Sequence, residues 1–208
     1  MKILVIDDSP IHQESARQTI KEHDLTVVGT YDEAYELLER PYAKYSDVNA
    51  GLIRMGFRAN RWENPETRHN EYDREEERLK EELRPAPFDA VLTDLFMPAG
   101  SRIQVKGGEF VGQEMLVGFA LALDAVLHGA KYVAVVSDGN HHHHPGVAML
   151  DRLGDYHPWD DKHPVPVRFE INRAHVGFFR VSCGKDGKNW GEILDHLLTA
   201  PVTPYRLG

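Results

Sequence analysis

"FDAVLTDLFMP", residues 88–98, runs an apolar strand straight into an aspartate and leaves through Met97-Pro98. A carboxylate at a strand end costs free energy to bury, so Asp94 needs water, a partner or a cation. The N-terminus shows the same pattern, with Ile3 to Ile6 ending at Asp7 and Asp8, and "YVAVVS" (132–137) ends at the hydroxyl of Ser137. Continuous apolar runs rich in β-branched residues are the mark of strands covered on both faces of a parallel sheet.

Helical segments separate these strands. Ser9 and Pro10 fit the N-cap and first position of a helix running to about Glu22, and "LTVVGT" follows as a second strand. "YDEAYELLER" reads as a helix that stops before Pro41, and Gly112 to His128 as another, with a short one from Pro145 to Leu153. Val167, Phe169 and Ile171 alternate with Arg168 and Glu170, and "NRAH" can turn that strand into "VGFFRVS" before a final helix, "NWGEILDHLL". The alternation predicts an α/β fold, a doubly wound and mainly parallel five-stranded sheet with helices on both faces, and an added edge strand from the hairpin. One domain over residues 1–208 is expected, interrupted at about 41–87, 99–111 and 154–175. The first interruption contains "EYDREEERLKEEL", where Tyr72, Leu79 and Leu83 form a thin stripe and Glu76 and Lys80 stand at i,i+4 spacing, which predicts a solvated surface helix. The second lengthens the loop after Asp94, where it can shape access to a site.

Composition narrows the function. The chain has 208 residues, 41% of them apolar, and 24 Lys plus Arg against 33 Asp plus Glu, for a net charge of -9. That balance disfavours nucleic acid and anionic membranes as partners. Cys183 is the single cysteine, so no intrachain disulfide forms, and with no signal-peptide core at the N-terminus a cytoplasmic location is expected. "MLVGFALALDAVL" is too short for a membrane span and carries Asp124. The run His141 to His144, even with His157 and His163, lacks the spacing of a structural zinc site and reads as a polar loop.

In an open α/β sheet, function gathers beyond the carboxyl ends of the strands, where Asp7, Asp8, Asp94 and Ser137 all fall. Three carboxylates in one crevice repel one another. A hard divalent cation relieves the repulsion, and Mg²⁺ suits oxygen ligands with retained waters. Met97-Pro98 is expected to turn the backbone and aim a loop carbonyl at the same ion.

Together "KILVIDDSP", "FDAVLTDLFMP", "GQEML" and "YVAVVS", in this order, resemble the response-regulator receiver domain of two-component signalling, whose fold is flavodoxin-like. The resemblance implies that Asp94 is the phosphoacceptor, that Asp8 ligates Mg²⁺ directly and Asp7 through water, that Phe96 supplies a carbonyl ligand, and that Ser137 hydrogen-bonds the phosphoryl group. It also implies a lysine after the last strand that pairs with that group; Lys185 is the first choice and Lys188 the runner-up. Asp186 replaces the usual proline after Lys185, Ser182 replaces an aromatic three residues before it, and Asp138 stands where a small residue is usual. A carboxylate about 6 Å from the phosphoryl group would repel it by roughly 3 kcal/mol before screening.

The function this implies is a stand-alone receiver. It takes a phosphoryl group from a histidine kinase or a histidine phosphotransfer protein, switches conformation and signals to a downstream protein target. Any catalysis would be of its own phosphorylation and dephosphorylation, not of metabolism. The alternative is a non-phosphorylated pseudo-receiver, a protein-interaction module whose carboxylates merely hold a cation or water.

Overall fold

The computed structural model describes residues 1–39, 41–103, 108–138, 167–181 and 183–199. The histidine run, His157, His163, the Pro145–Leu153 segment and Ser182 lie outside them. The chain divides into two compact units, Met1–Glu39 with Pro87–Gly208, and Arg40–Ala86.

The first unit is built on β1 (Lys2–Ile6), α1 (Pro10–Thr19), β2 (Asp24–Val28) and α2 (Tyr31–Leu38). The second holds α3 (Tyr45–Arg54) and α4 (His69–Glu82). The chain then returns to the first with β3 (Ala90–Asp94), β4 (Met97–Pro98), β5 (Glu114–Met115), α5 (Val117–Leu127), β6 (Tyr132–Ser137), β7 (Val167–Ile171), β8 (Ala174–Arg180) and α6 (Trp190–Thr199). Its six-stranded sheet has the order β2-β1-β3-β6-β8-β7, with every pair parallel except β7–β8. The fold is therefore α/β with a mostly parallel central sheet.

Period-2 alternation divides the buried strand residues between two cores. Leu4, Ile6, Val91, Val133 and Val135 face one side, under Ala34 and Leu38 of α2 and Val117, Leu121 and Ala125 of α5. Ile3, Val5, Ala90, Leu92, Ala134 and Val136 face the other, under Ala16 of α1 and Trp190, Ile193, Leu194 and Leu197 of α6. The continuous apolar runs in the sequence follow from this double coverage. The α2 helix starts in a capping box: Thr30 Oγ1 accepts from Glu33 N at 3.2 Å and donates to Glu33 Oε2 at 2.9 Å.

The Met97-Pro98 exit differs from expectation. These residues do not turn sharply; they pair antiparallel with Glu114–Met115, and Ala99 N donates to Gln113 O while Gly112 N donates to Ala99 O, each at 2.8 Å. Because residues 112–115 are spent on this ladder, the helix expected from Gly112 begins only at Val117. Asp32, in the first turn of α2, holds the following loop by accepting from Ser101 N at 3.0 Å, Ser101 Oγ and Arg102 N at 3.2 Å. The Ser101 hydroxyl bond, foremost, keeps the Asp32 carboxyl below its ordinary range.

The edge hairpin forms as the alternation predicts. Its two-residue turn, Asn172-Arg173, has φ of 50° and 68°, as a type I′ turn requires. In the second unit, α3 and α4 share a small core of Val48, Leu52, Phe57, Tyr72 and Leu79. The thin stripe of α4 is thus covered by a neighbouring helix, except for Leu83, which stays 36% exposed. Among the described residues no helix is long and apolar enough to cross a membrane.

Two substitutions check this packing. A Cβ at Gly118 would stand 1.7 Å from the carbonyl oxygen of Asp94, which is backbone and has no room to retreat. Gly118→Ala should lower stability by on the order of 3 kcal/mol in urea denaturation; an unchanged midpoint would mean that α5 does not approach β3 so closely. Arg173→Gly should raise stability by about 0.5–1 kcal/mol, because glycine adopts positive φ without a Cβ clash.

Candidate functional site

The carboxyl ends of β1, β3 and β6 deliver Asp7, Asp94 and Ser137 to one side of the sheet. The register sets this: Ile6 pairs with Thr93, and Asp94 pairs with Val136. Asp7 is wholly buried, Asp94 and Ser137 are buried, and Asp8 is exposed. One carboxylate oxygen from each of Asp7, Asp8 and Asp94 lies within 4.8 Å of the others. Phe96 follows two residues after Asp94, with its side chain packed on the α2/α5 core.

A lysine joins the two buried carboxylates. Lys188 Nζ donates to Asp7 Oδ2 at 2.7 Å and to Asp94 Oδ1 at 2.9 Å. Lys188 is 1% exposed, whereas Lys185 lies exposed on the preceding turn. The structure thus places the runner-up, not the first-choice lysine, beside Asp94. The physical reason is the turn: Gly184 bridges to Gly187, whose φ of 82° is open to glycine, and this reverses the chain before Lys188. Ser15 Oγ then donates to Lys188 O at 2.6 Å, and Trp190 Nε1 donates to His12 O at 3.0 Å. The first ties the lysine backbone to α1, and the second ties the Trp190 side chain to it.

Asp7 is held on every side. Ser9 N donates to its Oδ1 at 2.9 Å, and Gln13 Nε2 donates to its backbone oxygen at 2.8 Å. His12 Nδ1 lies 3.2 Å and 3.1 Å from the two carboxylate oxygens. An ionised carboxylate only accepts, so Nδ1 carries the proton. Sequence reasoning missed His12, Ser15 and Trp190, since a lone histidine, serine or tryptophan on a helix carries no spacing signal. The one legible hint was Gly187 directly before Lys188.

On Asp94, Leu95 N and Lys188 both donate to Oδ1, and Oδ2 has no hydrogen bond among the described residues. Burial pushes the Asp94 carboxyl up to about 7 against the pull of Lys188, with Asp7 and Asp138 adding to the rise. Asp138 itself is exposed. Burial acts to lower Lys188, but Asp94 and Asp7 outweigh it and raise the ammonium above its ordinary value. Burial, then the Asp7 charge, raises Asp8.

Three carboxylates against one ammonium leave excess negative charge when all are ionised. This oxygen-donor set fits a hard cation such as Mg²⁺, with the exposed Asp8 open to solvent. No protein-family model matches the chain, and neither a curated protein nor a solved structure is significantly similar to it.

The shift of Asp94 has a defined sign. Its folded value lies above the ordinary 3.8, so the folded state holds a proton that the unfolded chain releases, and the contribution to stability is lost as pH rises from about 4 through 7. With metal chelated, Asp94→Asn should therefore gain stability relative to the wild type between pH 5 and pH 8, for example pH ~5 and ~8 buffers in urea titrations. A difference that is constant across this range would show that Asp94 ionises normally.

Proposed function

We propose that this chain is a receiver-type phosphoacceptor, with Asp94 the residue modified. The observation that carries the reading is the buried Lys188 bridging Asp7 and Asp94 beside the exposed Asp8. The strand order β2-β1-β3-β6-β8 supports it, being the flavodoxin-like order with β7 appended.

Oδ1 of Asp94 is committed to Leu95 N and Lys188, so Oδ2 is the attacking oxygen. It forms a bond to phosphorus as the donor's P–N bond (phosphohistidine) or P–O bond (acetyl phosphate) breaks, and the electron pair departs with imidazole or acetate. Lys188 reorients from the carboxylate toward the incoming phosphoryl oxygens, as a flexible point-charge donor can. Ser137, at the end of the adjacent strand, is the proposed hydroxyl donor to the same group. Asp7, Asp8, Asp94 and the Phe96 carbonyl would hold Mg²⁺, with Asp8 direct and Asp7 through water. When bound, the ion supplies neutralisation of the phosphoryl charge. A histidine kinase or histidine phosphotransfer protein is the proposed donor, and a downstream protein the proposed target.

Incubation with acetyl phosphate or beryllofluoride and Mg²⁺ should yield one adduct by intact mass, absent in Asp94→Asn. Lys188→Ala should lose the accompanying fluorescence change of the buried Trp190, whose ring centroid is 5.5 Å from Lys188 Nζ, and Lys185→Ala should keep it. A wild type with no Mg²⁺-dependent adduct would remove the phosphoacceptor reading and leave the interaction module.

A further inference from the structure

We infer that His12, Asp138 and Cys183 form a second metal site, suited to a borderline-soft transition-metal ion such as Zn²⁺ and separate from the all-oxygen site.

Three distant segments converge to make it. His12 comes from the first turn of α1, Asp138 follows β6, and Cys183 follows β8. One donor atom of each lies within 4.8 Å of the other two. A tetrahedral zinc with bonds of about 2.0–2.3 Å holds its ligand atoms roughly 3.3–3.7 Å apart, a separation within the limit these donors already meet. His12 and Cys183 are half-buried and Asp138 is exposed, so the site has an inner wall and an open side.

The donor chemistry decides the metal. Mg²⁺ and Ca²⁺ take oxygen, whereas a nitrogen, an oxygen and a sulfur together select zinc or its neighbours. Three protein ligands leave a fourth position for water or an outside ligand.

An independent feature points the same way. Metal-bound histidines characteristically donate their other ring N–H to a carboxylate, which fixes the ring and strengthens the donor nitrogen. His12 does so, giving Nδ1 to the fully buried Asp7, and Nε2 is the proposed ligand atom. Asp7 is therefore a member of the acidic group and also the partner of His12. The Lys188 ammonium is already countered by Asp7 and Asp94. Without metal, the Cys183 thiol hydrogen-bonds Asp138. Metal binding replaces that proton with the S–metal bond and releases it to solvent.

The inference does not rest on phosphorylation, and its test uses no phosphodonor. The full chain is titrated with Co²⁺ under reducing conditions, and the near-ultraviolet thiolate-to-cobalt band is read together with the visible bands of tetrahedral Co²⁺. Cys183 is the single cysteine, so a sulfur band has one origin, and His141 to His144 supply no sulfur. The band should saturate near one equivalent, yield to Zn²⁺ and resist excess Mg²⁺. His12→Ala and Asp138→Ala should each weaken cobalt binding at least about 10-fold, while Asp94→Asn should leave it intact. The proposal is overturned if the wild type shows no sulfur band, if Mg²⁺ displaces the cobalt, or if the His12 and Asp138 variants bind as tightly as the wild type. Loss of the band in Asp94→Asn would show that Asp94 shares the cobalt with Cys183, so that the two sites are not separate, and would overturn it equally.

Discussion

An ammonium group held between two buried carboxylates organises this protein. Lys188 reaches Asp7 and Asp94 from the opposite end of the chain, and none of the three is more than slightly exposed. Such a triad is a weak source of net stability, because stripping water from the charges offsets most of their attraction. Removing one member is a different matter, since a buried charge is then left without its partner. The triad therefore acts as a constraint: it requires β1, β3 and the segment before α6 to end within hydrogen-bonding distance of one point.

The rest of the first unit serves that requirement. The parallel register of β1, β3 and β6 aligns their carboxyl ends, and apolar layers on both faces keep the register from slipping. On one face, Gly118 lets α5 approach the backbone of Asp94 itself. On the other, Gly191 N donates to Thr19 Oγ1 at 3.1 Å and Trp190 is fully buried, which locks α6 onto α1 and carries Lys188 inward. The carboxylates are thus pre-positioned by hydrophobic packing whose direct role is structural. The desolvation that this packing imposes is also what raises Asp94.

The contacts around Asp7 also show how one buried carboxylate can link two kinds of chemistry. Its carboxylate meets both an ammonium and an imidazole, each within 3.1 Å of Oδ2. The acidic group of Asp7, Asp8 and Asp94 and the group of His12, Asp138 and Cys183 share no residue. Hard and soft donors so arranged would be occupied by different ions.

Much of this was legible in the primary structure for a local reason. Doubly covered strands must be continuously apolar, so Ile3–Ile6, Val91–Thr93 and Val133–Val136 announce themselves, and the aspartates that end them stand out against that background. The alternation at Val167–Ile171 likewise marked a strand with unequal faces. Three things depended on contacts between distant segments and left no local trace. Met97-Pro98 pairs with Glu114–Met115 because a two-residue ladder has no period to detect, and it delays α5 to Val117. The stripe of α4 is covered because α3 happens to supply Val48 and Leu52. Lys188 rather than Lys185 enters the pocket because Ser15 and Trp190, more than 170 positions apart in the chain, hold the segment in place after Gly187 reverses it. Sequence alone determined which carboxylates end the strands, since burial writes itself into composition along a single strand. Only the tertiary structure decided which cation meets them, since that choice rests on one turn and on hydrogen bonds across the whole length of the chain.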